Sequence, residues 1–154
     1  MTETSQFAEM EWIKFLAIEP VSAVEGEAVI RMRPQQVHLN HNGTVNAAVL
    51  YGLAEVAGAG AVVAGMLEEA AASYTVIRRA TIEYEAPARG DVTASGSLSV
   101  DLFNQARSQV REGRAIEVEV PVTIADSAGN RVCSADFTVA IRPRRKRTDG
   151  EAWR

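Results

Sequence analysis

Residues 45–67 read VNAAVLYGLAEVAGAGAVVAGML and carry a single charged side chain, Glu55. The preceding stretch, PQQVHLNHNGTVN over 34–46, is loop-like, with Asn and Gly supplying turn chemistry, and a helix is expected to start near Thr44 to Asn46. At ~1.5 Å rise per residue the run would be about 34 Å long if wholly helical, long enough to raise a membrane span as one reading. A carboxylate at mid-span costs roughly 2.5 to 3.5 kcal/mol on insertion scales, and the small residues Ala54, Ala57, Gly58, Ala59, Gly60 and Ala61 lower the hydrophobicity further. A buried helix is therefore expected. Small residues also let another backbone approach closely, which a helix needs when a sheet wraps it. Each glycine weakens a helix by about 0.8 to 1 kcal/mol relative to alanine, so close packing has to compensate.

Upstream of this run, Phe7, Met10, Trp12, Phe15 and Leu16 recur at roughly helical spacing and suggest a short amphipathic helix, with Trp12 the poorest fit to its face. Leu16, Ile18, Ser22 and Val24, then Glu25-Gly26-Glu27, then Ala28, Ile30 and Met32 read as two strands joined by a tight turn. Downstream of Ala72 the pattern alternates like half-buried strand. Ile82, Tyr84 and Ala86 oppose Thr81, Glu83 and Glu85, and Val92 to Val100 continue after a turn at Pro87–Asp91. Asp101 is the expected cap of a short helix bearing Leu102, Ala106 and Val110, with Gly113 placed to end it. Ile116 to Ile124 and Cys133 to Ile141 alternate strictly as two further strands, and Pro121 predicts an edge or a bulge in the first of them. One long buried helix amid sequential hairpins gives an α+β fold, an antiparallel sheet with a helix on one face.

The chain of 154 residues is one domain's worth, and 47% apolar against 23% charged residues suffices for a sizeable core. We expect one domain over 1–142 and a charged, disordered tail over 143–154. Sixteen basic against twenty acidic residues, a net charge of −4, argue against a general electrostatic grip on nucleic acid or anionic lipid. Cys133 stands alone, and two histidines complete no set of metal-ligand spacing. No metal and no membrane are expected. The N-terminal MTETSQFAEMEW lacks the basic start and apolar core of a secretory signal, so a cytoplasmic location is expected.

Three stretches taken together, Asn40-His41-Asn42-Gly43-Thr44-Val45-Asn46-Ala47-Ala48, Leu53-Ala54-Glu55-Val56-Ala57-Gly58 and Tyr84-Glu85-Ala86-Pro87-Ala88-Arg89-Gly90-Asp91, resemble the hotdog-fold acyl-CoA thioesterases. The phenylacetate-degradation-type branch and a related group of uncertain substrate are the most similar, over about residues 16 to 142. The resemblance implies an antiparallel sheet wrapped around a long central helix, pairing of two chains edge to edge as a homodimer or dimer of dimers, and acyl-CoA bound at their interface without a separate cofactor. It implies that Glu55, nine residues after Asn46, is the catalytic acid of the central helix, and that Asn40 orients water. The oxyanion-binding backbone N–H maps to Ala47. Here the chain reads Asn46-Ala47-Ala48 where the family has His-Gly-Gly, so Asn46 stands as a substrate contact at an altered helix start. The family's later polar residue falls on Ile77, which cannot hydrogen-bond, leaving Arg78, Arg79 or Thr75 as substitutes.

The chemistry of these residue types agrees. A thioester carbonyl needs water activated by a base, or a carboxylate that attacks directly, and Glu55 can serve as either. An unpaired N–H in a helix's first turn suits the oxyanion that then forms. The same residues have plainer readings: Glu55 in a salt bridge across a dimer, Asn40 as a turn former, Ala47 as an ordinary helix start. His38 and His41 read as loop residues and Cys133 as core. Arg142, Arg144, Arg145, Lys146 and Arg147, or Gln105, Arg107 and Arg111, are further candidates for the phosphates of coenzyme A. The competing functional class is a non-catalytic hotdog module that holds acyl-CoA or a similar acyl ligand; a hydratase would want an acid paired with histidine in the loop.

Overall fold

The computed structural model describes residues 9–144. Six strands form one antiparallel sheet in the order β1-β2-β4-β5-β6-β3. They are β1 (Ile18–Val24), β2 (Glu27–Met32), β3 (Ser73–Tyr84), β4 (Val92–Ser97), β5 (Ile116–Asp126) and β6 (Arg131–Pro143). The helices are α1 (Glu11–Phe15), α2 (Ala47–Val63), α3 (Leu67–Ala71) and α4 (Val100–Arg111). The sheet curls around α2, which touches every strand. This is the hotdog architecture that the resemblance implies.

The alternation read in β5 and β6 is the pleat itself. Val118, Val120, Val122 and Ile124 face Phe137, Val139 and Ile141 in one buried layer against Leu53, Ala54, Ala57 and Ala61 of the helix. Burying each larger aliphatic side chain contributes about 1.5–3 kcal/mol. The small residues of α2 have the purpose expected of them. A Cβ on Gly96 of β4 would stand 2.6 Å from the Ala57 carbonyl oxygen, and one on Gly58 would stand 3.2 Å from a Val122 methyl. Helix and sheet backbones therefore nearly touch, and dense packing offsets the weak helix propensity of glycine.

Several expectations are corrected. The helix is 17 residues long and ends at Val63, because Gly65 adopts φ +82 and turns the chain into α3. Among the described residues no helix is long and apolar enough to cross a membrane. Ser99, not Asp101, caps α4, its Oγ accepting from the Leu102 N–H at 3.3 Å, and Phe103, Ala106 and Val110 form the buried face while Leu102 is exposed. Gly113 does end this helix, at φ +71. Pro121 lies neither on an edge nor at a bulge: β5 is interior, and its shift falls between Ile124 and Ala125. The proline is tolerated because the β4 ladder stops at Gly96↔Val122, so on that side no neighbour asks for its missing N–H. In α1 the buried residues are Ile13 and, just after it, Leu16, whereas Met10, Trp12 and Phe15 are exposed. Trp12 lies on the central helix, its ring edge occupying the space a Cβ on Gly52 would need. Phe7 and most of the expected tail fall outside the described residues, and the expected boundary at 142 falls inside β6, which runs to Pro143.

Candidate functional site

The site is organised by the start of α2. Asn46, in extended backbone at φ −62 and ψ 139, caps the helix, its Oδ1 accepting from the Ala48 N–H at 2.9 Å. The N–H groups of Val49 and Leu50 donate to the Asn46 carbonyl. The Ala47 N–H is thereby the first-turn donor left without a partner among the described residues, and Ala47 is exposed. The phenol of Tyr84, at the end of β3, donates to the Ala47 carbonyl at 3.0 Å and pins the strand to the helix start.

Asn40 forms the turn that leads into this helix. Its Oδ1 accepts from the N–H groups of Asn42 at 2.9 Å and Thr44 at 3.2 Å, and its Nδ2 donates to Thr44 Oγ1 at 2.9 Å. One Nδ2 hydrogen remains for another partner. Asn40, Ala47, Leu50 and Tyr84, with Ala86, Pro87 and Ala88, line an open cavity of about 320 Å³.

Glu55 stands in a second cavity, of about 330 Å³, with Ala59 of the same helix and Thr75, Val76 and Ile77 of β3. Among the described residues it has neither an ion pair nor a hydrogen bond, and burial pushes its carboxyl above the usual carboxylate range. The structure thus brings Asn40 and Ala47 together, and Glu55 lies apart from both. Glu55 follows Ala47 by eight residues on a single helix, about 12 Å along the axis.

The arginines expected to replace the polar group at Ile77 are not in this cavity. β3 has a bulge between Ile77 and Arg79, and Arg78 and Arg79 both face outward, Arg78 paired with Glu117 and Arg79 with Glu119 at 2.9 Å. A bulge sets two residues against one and shifts the pleat, which is why neither arginine follows Thr75 and Ile77 toward the helix. Thr75, the remaining substitute, is in the cavity with Glu55.

The other candidates have structural partners. His38 is fully buried, accepting from the Gln35 N–H through Nδ1 at 2.9 Å and donating through Nε2 to the Phe15 carbonyl, so it ties the loop to α1. His41 is exposed. Burial and the nearby Glu85 push the Cys133 thiol up to about 11, so it stays protonated at neutral pH. Arg107 and Arg111 share Glu69 on α3, and Arg107 also pairs with Glu25 at 2.9 Å. Arg142 is 3.5 Å from Glu117, and Arg144 lies over the Tyr74 ring. Arg145, Lys146 and Arg147 fall outside the described residues. Among the described residues no group of three or more His, Cys, Asp or Glu is arranged to hold a metal ion. Sequence reasoning missed Tyr51, which shares a helix face with Ala47 and Glu55 and packs on Phe137 at 5.5 Å between ring centroids. Its spacing of four from each was the available signal.

A family model, Domain of unknown function (DUF4442), matches residues 5–141. The chain belongs to this family. No curated protein matches it. Among solved structures it is similar to a Pseudomonas aeruginosa protein of unknown function named a probable thioesterase, at 21% identity and a TM-score of 0.76 over 89% of this chain and 91% of that one. The Escherichia coli PaaI protein of the phenylacetic acid degradation operon follows at 19% identity and 0.69, over 88% and 87%. Zebra fish thioesterase superfamily member 2 superposes at 18% identity and 0.67, over 88% and 90%. At these identities the likeness shows the fold of this DUF4442 chain, a sheet curled around one long helix.

Proposed function

We propose that this DUF4442 protein hydrolyses an acyl-CoA thioester to carboxylic acid and free thiol, with Glu55 as general base or nucleophile and the Ala47 N–H as the oxyanion donor. The observation that carries this reading is Glu55 itself: the lone charge of the central helix, partly buried, without a partner among the described residues and open to a cavity. An unpaired carboxylate in such a place is costly, and use in catalysis explains why it stands there.

A nucleophile and an oxyanion donor must both lie about 3 Å from the reacting carbonyl. Glu55 and Ala47 of one helix are too far apart for that, so each site takes Glu55 from one copy and Ala47 from another. The edge strand β3 supports the pairing. It is 12 residues long, has no neighbour on its outer side among the described residues and exposes Tyr74 and Val76. Light scattering is expected to give a dimer or a dimer of dimers, and a monomer with full activity would defeat the composite site. Arg78 and Arg79 have no part in this reading; Thr75 is the polar group beside Glu55.

The alternative, a module that binds an acyl ligand without turning it over, draws on the turn that occupies most of the Asn40 amide. A panel of acyl-CoAs, with released thiol as the readout, separates the two. The best substrate should be hydrolysed with Glu55→Gln lowering kcat by about 10² or more and changing KM little. A variant within threefold of wild type would remove Glu55 from the mechanism.

A further inference from the structure

Among the described residues every arginine except Arg89 and Arg144 has a carboxylate within ion-pair distance. Arg144 is held over Tyr74 and donates to the Ser73 carbonyl at 3.1 Å. Arg89 is exposed, and among the described residues its side chain makes one hydrogen bond, donated from Nη1 to the Gly43 carbonyl at 3.3 Å. It directly follows Ala88, whose carbonyl accepts from the Val45 N–H at 3.0 Å, so it stands at the rim of the cavity beside the helix start. The acids nearby are engaged elsewhere: Glu85 pairs with Arg131 at 2.8 Å, and Asp91 is 3.9 Å from Arg33. The rim therefore carries a cation with most of its donors unspent, above a cavity whose apolar wall is Val45, Leu50, Ala86, Pro87 and Ala88 and whose polar lining is Asn40, Thr44, Tyr84 and Glu85, the last already paired with Arg131.

We propose that Arg89 binds a phosphate at the end of a pantetheine arm, with the arm lying along this cavity and the thioester carbonyl at the Ala47 N–H. The proposal rests on the thioester reading of the site and adds to it the residue that recognises the carrier. A guanidinium fork suits a phosphate because it can donate two parallel hydrogen bonds to it, and an apolar wall suits the uncharged arm. Coenzyme A and a carrier-bound phosphopantetheine share this chemistry and differ in how many phosphates follow the arm.

Calorimetric titration of the full chain with pantetheine, 4′-phosphopantetheine and coenzyme A tests it. Arg89→Gln should weaken coenzyme A by about tenfold or more at low salt and leave pantetheine within about threefold, while Arg89→Lys recovers most of the loss. An equal loss for 4′-phosphopantetheine puts Arg89 on the arm's own phosphate and supports the proposal, whereas a loss confined to coenzyme A puts it on the nucleotide phosphates beyond the arm and would overturn it. Coenzyme A binding to Arg89→Gln within threefold of wild type would overturn it. So would a parallel loss of pantetheine, which would mean that Arg89 acts by holding the Gly43 turn, or the absence of coenzyme A binding to wild type at millimolar concentration. These titrations do not need turnover, so a protein that binds coenzyme A through Arg89 but releases no thiol would defeat the hydrolase reading alone.

Discussion

The two faces of the sheet treat a carboxylate in opposite ways. On the outer face, Glu117 and Glu119 of β5 reach across the small outward residues Thr138 and Ala140 of β6 to Arg78 and Arg79 of β3, and Glu117 also lies 3.5 Å from Arg142 of β6. On the inner side, Glu55 projects from the helix with no cation among the described residues to meet it. The outer carboxylates are answered and exposed, and such pairs are typically worth ~0.2–1 kcal/mol each. Glu55 is unanswered and partly desolvated, so its protonation state is sensitive to whatever enters the cavity. The difference separates charge that decorates a surface from charge available for chemistry.

The largest effect expected is on the donor facing that chemistry. Proline is well accepted at the first position of a helix, and the extended backbone of Asn46 already suits a following proline. Ala47→Pro should therefore keep the fold and remove the N–H, lowering kcat by about 10²–10³ in the thiol-release assay. Retention of activity would show that the oxyanion is held elsewhere.

Next in size is the packing that sets the helix on the sheet. Gly96→Ala places a methyl against the Ala57 carbonyl, where backbone has to move, and should cost about 1–3 kcal/mol, read as a lower Tm in thermal unfolding. An unchanged Tm would mean that helix and sheet are less closely held than the 2.6 Å approach indicates.

Under the proposed mechanism Glu55 also links activity to pH. Its carboxyl is raised in the folded state, so activity should fall as pH drops through that raised value and the base is protonated. Stability runs the other way. A raised folded pKa means that the charged form is disfavoured by folding, so the penalty appears as pH rises above the ordinary glutamate value and vanishes below it. Glu55→Gln should melt higher than wild type at pH 7 and lose that advantage in acid. An advantage that persists in acid would have a different cause.

The smallest effect belongs to the outer face. Glu119→Gln removes a partner of an exposed arginine and should change stability by less than about 1 kcal/mol and leave kcat unaltered. The same chemical change on the two sides of the sheet should thus differ by about two orders of magnitude in rate.

Much of this arrangement was legible in the sequence. The strict period of two in Ile116–Ile124 and Cys133–Ile141 and the small residues of 52–61 required a sheet pressed against a helix, and the lone Glu55 marked the helix as unusual. The phase of β3 was not legible. The bulge at Arg78 lets Ile77 and Ile82 both face inward although they are five apart, and it turns Arg78 and Arg79 out together. No local pattern announces such a slip, because the register is fixed by pairing with β6, far along the chain. Trp12 was misfitted for a related reason: its seat is a missing side chain, Gly52, on another element. Pro121 marked an edge by rule, and only the end of the β4 ladder shows how an interior strand admits it.

The central claim is that each site joins Glu55 of one copy to the Ala47 N–H of another, and mixing the two defective variants measures this directly. Glu55→Gln and Ala47→Pro chains, each nearly inactive alone, are unfolded together and refolded at equal concentration, and thiol release from the best acyl-CoA is recorded. Half of randomly formed dimers carry one chain of each kind, and in these one site of two has both groups intact. Activity should therefore recover to about a quarter of wild type. A mixture no more active than its separate components, with mixed dimers verified by mass, would contradict the shared site.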